Sequence, residues 1–154
     1  MATSKLLLRR ATPDDVSAIE AIERESFPDP WDRETFFEAL AYYGSTCFVA
    51  ADEAHLLGFI AAGIEDTGEE KYGHIMNIAV APGHRREGIG RRLVQRMEQE
   101  CMVEGASAVQ LEVREGNASA QRFYLRLGYR QVLRIAGYYA DGENAVIMMK
   151  WFRY

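Results

Sequence analysis

His84-Arg85-Arg86-Glu87-Gly88-Ile89-Gly90-Arg91-Arg92 is the stretch on which the fold turns. Before it runs an apolar strand pattern, Ile75 to Val80, closed by Pro82-Gly83. After it, Ile89, Leu93, Val94, Met97 and Cys101 recur at helical spacing as one apolar stripe. Glycines between a strand and a helix let the chain turn tightly and bring several N–H groups to one point. The helix N-terminus adds its own unpaired N–H groups and the positive end of its dipole, so the segment suits a pyrophosphate. Arg85, Arg86, Arg91 and Arg92 add positive charge. The GK[ST] ending of a P-loop is absent, and Leu93 stands where a dinucleotide fingerprint has its third glycine. On the glycine pair alone, an anion loop and a plain turn with solvated arginines remain equally open.

Working outward, the helix predicted from Gly88 to Glu104 stops at Gly105, and Ala108 to Val113 reads as a strand. Asn117 is placed to cap a helix running to Leu127, with Gly128 at its C′ position. Strands are expected from Gly128-Tyr129 to Ile135 and from Ala145 to Lys150, joined by a loop from Gly137 to Glu143. Towards the N-terminus, 46–52 and 56–64 read as strands, and Glu65 to Glu70 as a solvated acidic loop around Gly68. Lys5 to Arg10 reads as a first strand. Thr12-Pro13-Asp14-Asp15 starts a helix to about Ser26, which Phe27-Pro28-Asp29-Pro30-Trp31 breaks, and Asp32 caps a second, short helix. The order β, α, α, three strands, α, β, α, β, β predicts an α/β fold: a mixed sheet flanked by helices, as one domain over 1–154.

Bulk properties narrow the function classes. The 154 residues are 48% hydrophobic and 27% charged, as in ordinary globular domains. Met1 to Arg10 holds only three consecutive apolar residues, too few for a signal peptide, and no run approaches the roughly 20 needed to span a membrane. A cytoplasmic protein is expected. The net charge of -5 argues against nucleic acid as the main partner. Cys47 and Cys101 lack metal-ligand spacing and read as small buried hydrophobes, and His55, His74 and His84 are isolated, so no metal is expected.

With these elements in place, Arg85-x-x-Gly88-x-Gly90 resembles the acetyl-coenzyme A loop of the GNAT superfamily of N-acetyltransferases. "RRATPDD", "MNIAVAP", "LEVREGNASAQRFYLRLGY" and "ENAVIMMK" occur in that family's order, so the likeness covers nearly the whole chain. It is greatest to protein N-terminal acetyltransferases, including the ribosomal-protein alanine acetyltransferase branch. The resemblance implies a mostly antiparallel twisted sheet and acetyl-coenzyme A as cosubstrate. It implies that backbone groups of Ile78, Ala79 and Val80 hold the pantetheine and acetyl group, one N–H facing the developing oxyanion. The amides of Arg86, Glu87, Gly88, Ile89, Gly90 and Arg91, after Arg85, would take the pyrophosphate. Asn117 would contact the cofactor where its helix begins.

Acetyl transfer needs a neutral amine, donors for the oxyanion, and a proton or hydrogen bond for the departing thiolate. By alternation with Leu111 and Val113, Glu112 reads as a solvent-facing strand residue; the resemblance makes it the general base. Tyr124 by itself reads as a core aromatic beside Phe123, whereas the tyrosine of the "FYxxxGY" pattern makes it the general acid near the sulfur. His74 reads as a surface histidine; the resemblance sets it, with Asn77, on the acceptor side as a secondary member of the base system. The resemblance also assigns Tyr138 and Tyr139 to the substrate's first backbone groups. Phe27, Pro28 and Trp31 would form the other wall, which restricts lysine entry.

The implied partner is a protein N-terminus, nascent or ribosomal, with the enzyme a monomer or weak homodimer. A small-amine or lysine acetyltransferase and a coenzyme A-binding regulatory module are the alternatives. The tyrosine pair opposes the former, and the retained Glu112, Tyr124 and Asn117 oppose the latter.

Overall fold

A computed structural model describes residues 5–153. Met1–Ser4, part of the leader and domain expectations above, and Tyr154 lie outside the described residues. In chain order the elements are β1 (Leu7–Arg10), α1 (Val16–Ser26), α2 (Arg33–Tyr43), β2 (Phe48–Ala51), β3 (Leu56–Asp66), β4 (Lys71–Val80), α3 (Ile89–Val103), β5 (Ala108–Arg114), α4 (Ala118–Arg126), β6 (Arg130–Ile135) and β7 (Ala145–Trp151). They build one mixed sheet in the order β1-β2-β3-β4-β5-β7-β6. Every neighbouring pair is antiparallel except β4 with β5.

The helices start where the polar signals stand. Asp32 Oδ1 accepts the Thr35 N–H at 2.9 Å, and Asn117 Oδ1 accepts that of Ala120 at 3.1 Å, each satisfying a donor of the first turn. Pro13–Asp15 forms a single 3-10 turn before α1, held by Asp15, which accepts from the Thr12 N–H and pairs with Arg9. Gly88 (φ +79) precedes α3 in the left-handed region.

Several expected boundaries change, and β1 begins at Leu7 rather than Lys5. Gly44–Thr46 is a 3-10 turn, so β2 begins at Phe48. Asp66 pairs with Lys71 and Glu65 with Tyr72, so β3 and β4 run on through most of the expected acidic loop. Asp66 Oδ1 takes the Gly68 N–H, and Thr67 N–H reaches Glu70 O, so the turn itself needs only 67–70.

Apolar side chains pack on both faces of the sheet. On one, Leu93, Val94 and Met97 of α3 and Tyr124 of α4 meet Phe48, Ile60, Ile75, Leu111 and Met148. On the other, Val16, Ile19 and Ile22 of α1 and Phe36 of α2 meet Val49, Phe59 and Ala79. Cys47 and Cys101 are free and buried, and burial pushes the Cys101 thiol up to about 12. Among the described residues no helix is long and apolar enough to cross a membrane.

A bulge in β4 sets up the site. Ala61 faces Asn77 while Ala62 faces Ile75, which leaves Met76 as an extra residue. An extra residue reverses the alternation of faces. Before it, Ile75 points into the α3 core; after it, Ala79 points to α1 and α2. The ladder from β4 to β5 runs only from Tyr72–Ala108 to Ile75–Leu111, so beyond Ile75 the two parallel strands separate.

Candidate active site

The separated part of β4 forms one wall of a cleft of about 900 Å³. Ile78, Ala79 and Val80 line it, with Arg85, Arg86, Gly88, Ile89, Gly90 and Arg91 along the loop and helix start. Asn117, Ser119, Ala120, Phe123 and Tyr124 of the α4 region form the opposite wall, and Ser26 and Phe27 reach in from the end of α1. Arg86 (φ +68) and Gly88 (φ +79) both adopt left-handed backbone, the alternation that gathers N–H groups around an anion. A Cβ on Gly90 would stand 3.3 Å from the Phe123 ring, so a side chain there narrows the cleft. Arg85 crosses the cleft mouth: its Nε donates to Val80 O and its Nη2 to Ser26 Oγ, both at 3.2 Å.

Of the residues expected around the cofactor, the cleft gathers all but Glu87. That side chain lies with Leu6, Asp52 and Arg92 at a neighbouring hollow of about 390 Å³, while the helix-capping role of Asn117 coexists with its place on the cleft. Arg122 and Arg126 line the cleft as well and were not singled out from sequence. Their exposed positions on a short amphipathic helix look like ordinary solvated charge until the fold turns that face to the loop.

The second cluster lies on the sheet face opposite α3. His74 pairs with Gln110 across the parallel ladder, so Glu112 is its diagonal neighbour on the same face; Glu65 is the diagonal neighbour on β3. His74 Nε2 and Glu112 Oε2 are 2.6 Å apart, and His74 Nδ1 is 3.7 Å from Glu65 Oε1. The hydrogen bond with Glu112 raises the His74 pKa against the opposing effect of burial, with further help from the charges of Glu112 and Glu65. The reading of His74 as a surface residue is therefore corrected: its side chain is 24% exposed and bridges two carboxylates. Its partners lie on other strands, where local spacing does not show them.

The loop between β6 and β7 closes over this cluster. Tyr138 Oη donates to Glu112 Oε1 at 3.3 Å. The Arg114 guanidinium lies 4.0 Å from the centroid of the Tyr139 ring and binds Asp141 and Glu143, and the rings of Tyr138 and Tyr139 meet edge to face. Tyr139 is thus held by its stacking on Arg114, while Tyr138 extends its hydroxyl towards Glu112.

Tyr124 is 5% exposed, and burial pushes its phenol above the ordinary tyrosine range. Asn77, placed by the bulge on the α1 face, donates to Glu23, and Trp31 packs its ring 5.3 Å from Phe36. Pro28 is exposed beside Phe27. Glu23 itself is a buried residue that the sequence reading passed over. The available signal was an acid four residues after Ile19 and seven after Val16, on the buried stripe of α1.

Residues 16–129 match the family model described as Acetyltransferase (GNAT) family. The chain belongs to this family. An N-alpha-acetyltransferase of Sulfurisphaera tokodaii is 36% identical over 150 residues, covering 92% of this chain and 90% of that protein. Among solved structures, Ard1 from Thermoplasma volcanium superposes with a TM-score of 0.89 at 23% identity, over 97% of this chain and 99% of the other. The ribosomal-protein-S18-alanine N-acetyltransferase of Escherichia coli gives 0.84 at 27% identity, over 97% and 96%.

As a GNAT acetyltransferase the protein takes its acetyl group from acetyl-coenzyme A, and the cleft fits that molecule. Amides around Gly88 and the arginines suit the diphosphate, and the freed edge of β4 suits the amide-bearing pantetheine. Among the described residues no group of three or more His, Cys, Asp or Glu side chains could hold a metal ion.

Proposed function

We propose that the protein acetylates the α-amino group of protein N-termini. The observation that carries this reading is the Tyr138–Glu112 contact. It joins the loop suited to a peptide backbone to the carboxylate suited to an amine proton, across 26 residues of chain. The curated relative from Sulfurisphaera tokodaii is named an N-alpha-acetyltransferase, which supports the same acceptor class.

The chemistry follows from the groups present. Acetyl-coenzyme A supplies an activated acetyl thioester. Glu112 accepts the proton of the incoming amine, with His74 holding its Oε2 and Tyr138 its Oε1. An α-amino group, with a pKa of about 7.7–8.0 against about 10.4 for lysine, gives up that proton more readily near neutrality. N–H groups of Ile78–Val80 face the oxyanion as negative charge develops on the acetyl oxygen. Tyr124, whose phenol is protonated at neutral pH, donates to the departing thiolate. The Phe27–Trp31 segment, with two prolines in five residues, presents a stiff wall that favours a mobile N-terminus over a lysine within a folded surface. The substrate is a nascent or ribosomal protein, and the setting is the cytoplasm.

Thiol release from acetyl-coenzyme A with short peptides tests this. The panel varies the first residue among Ala, Ser, Thr, Gly and Met and includes N-terminally blocked peptides containing lysine. Release with free N-termini alone is expected. Release only with blocked lysine peptides, or only with small amines, would move the acceptor to those classes.

A further inference from the structure

The Phe27–Trp31 wall is tied at both ends to one residue of α1. The Glu23 main-chain carbonyl accepts the N–H of Phe27 at 3.0 Å, and Glu23 Oε2 accepts the N–H of Trp31 at 2.9 Å. The same carboxylate takes Asn77 Nδ2 on both oxygens, at 2.9 Å each. A carboxylate only accepts here, so the nitrogen end of Asn77 must face it and Oδ1 turns the other way. One side chain therefore joins the end of α1, the start of the α2 approach, and β4 just past its bulge.

Packing does not explain an acid at this place. Glu23 is 1% exposed and its partners are neutral N–H groups. Burial pushes its carboxyl pKa up, while the Trp31 and Asn77 donors pull it down. One turn earlier, Glu20 pairs conventionally with Arg24 and Arg33. A buried acid without a counter-charge is costly, and an apolar residue of similar size generally packs at least as well. What an apolar residue cannot do is accept hydrogen bonds from two separate elements at once.

We propose that Glu23 is a positioning residue for the acceptor, fixing the spacing between the Phe27–Trp31 wall and Asn77–Val80 of β4. The inference rests on the N-terminal reading above. Phe27 of the wall and Ile78–Val80 line the same cleft, so the carboxylate that ties the wall to β4 sets the spacing of the gate through which the amine approaches. Attack demands close alignment, and a displacement of about 1 Å is enough to slow it substantially. Glu23 is buried and acts through the two surfaces it joins.

Two variants test the proposal. Glu23→Gln keeps the size but has one accepting oxygen, and its amide nitrogen confronts another donor. Glu23→Leu keeps the packing and removes the carboxylate's ties to Trp31 and Asn77, leaving the main-chain bond to Phe27. Both are compared with the unaltered protein by peptide KM and kcat, by acetyl-coenzyme A affinity, and by amide hydrogen exchange over 27–31 with α3 as the internal standard. The expected result is a rise of about tenfold or more in peptide KM. Cofactor affinity should stay within about twofold, and exchange over 27–31 should quicken with α3 unchanged. Glu23→Leu should show this with undiminished Tm, which separates loss of positioning from loss of fold. Wild-type KM, or wild-type exchange over 27–31, in both variants overturns the proposal. If the unaltered protein acetylates no peptide N-terminus, the N-terminal reading falls; unchanged exchange then overturns the tie by itself, and faster exchange upholds it.

Discussion

The cofactor cleft and the acceptor face are built in opposite ways. The cleft is largely a property of contiguous backbone: one loop, one helix start and one strand edge, with Arg86 and Gly88 in left-handed conformation. The acceptor face is assembled from side chains distant in sequence: Glu65, His74, Glu112 and Tyr138 on three strands and a loop, and Glu23 with Asn77 across another 54 positions. The bulge at Met76 lies where they meet: the β4–β5 ladder ends at Ile75 just before it, and past it Asn77 turns towards α1. Backbone recognition suits an invariant ligand, whereas a side-chain constellation can be retuned for different acceptors without disturbing the donor site.

If the two regions are separable in this way, variants should divide cleanly between them. Glu112→Gln is expected to have the largest effect, a loss of about 10³ in kcat with acetyl-coenzyme A affinity within about twofold; steady-state kinetics beside calorimetry would show it. Tyr124→Phe, at a cleft residue whose expected role is in catalysis, should lower kcat about 10²-fold with nearly unchanged cofactor binding, because the proton matters as the thiolate departs. Gly90→Val should do the reverse. Crowding of Phe123 is expected to raise the acetyl-coenzyme A KM about tenfold with little change in peptide KM. A variant from either region that moved both affinities together would break the comparison.

The smallest effect concerns pH. The His74 pKa is raised in the folded chain, chiefly by its hydrogen bond with Glu112. A raised folded pKa means that the protonated form contributes stability, fully present below the unfolded value of 6.5 and lost as pH rises through the folded value. The Tm difference between the unaltered protein and His74→Gln should therefore be largest in mild acid and shrink as pH rises. A difference that grew with pH would place His74 in the neutral form and reverse the account of the pair.

The contrast also explains what could be read in the sequence. Gly88 and Gly90 stand between a strand pattern and a helix pattern, so strand, loop and helix were legible together, as was the order of elements. Tyr138 and Tyr139 were found through family resemblance, and their placement beside Glu112 required the fold. His74 looked isolated because its partners are diagonal neighbours across two ladders, a relation that depends on register. Glu65 looked like loop because the β3–β4 hairpin continues further than its apolar residues do. Glu23 was hidden differently: helical spacing marks it as buried, but its carboxylate suggests solvent, and only Asn77 and Trp31 resolve the conflict.

The most direct test of the central claim uses one peptide with a free N-terminus and an internal lysine, incubated with the protein and acetyl-coenzyme A. Fragment mass spectrometry then locates the acetyl group. The account predicts acetyl on the α-nitrogen, with the lysine unmodified. Acetyl on the lysine ε-nitrogen with the N-terminus left free would contradict it.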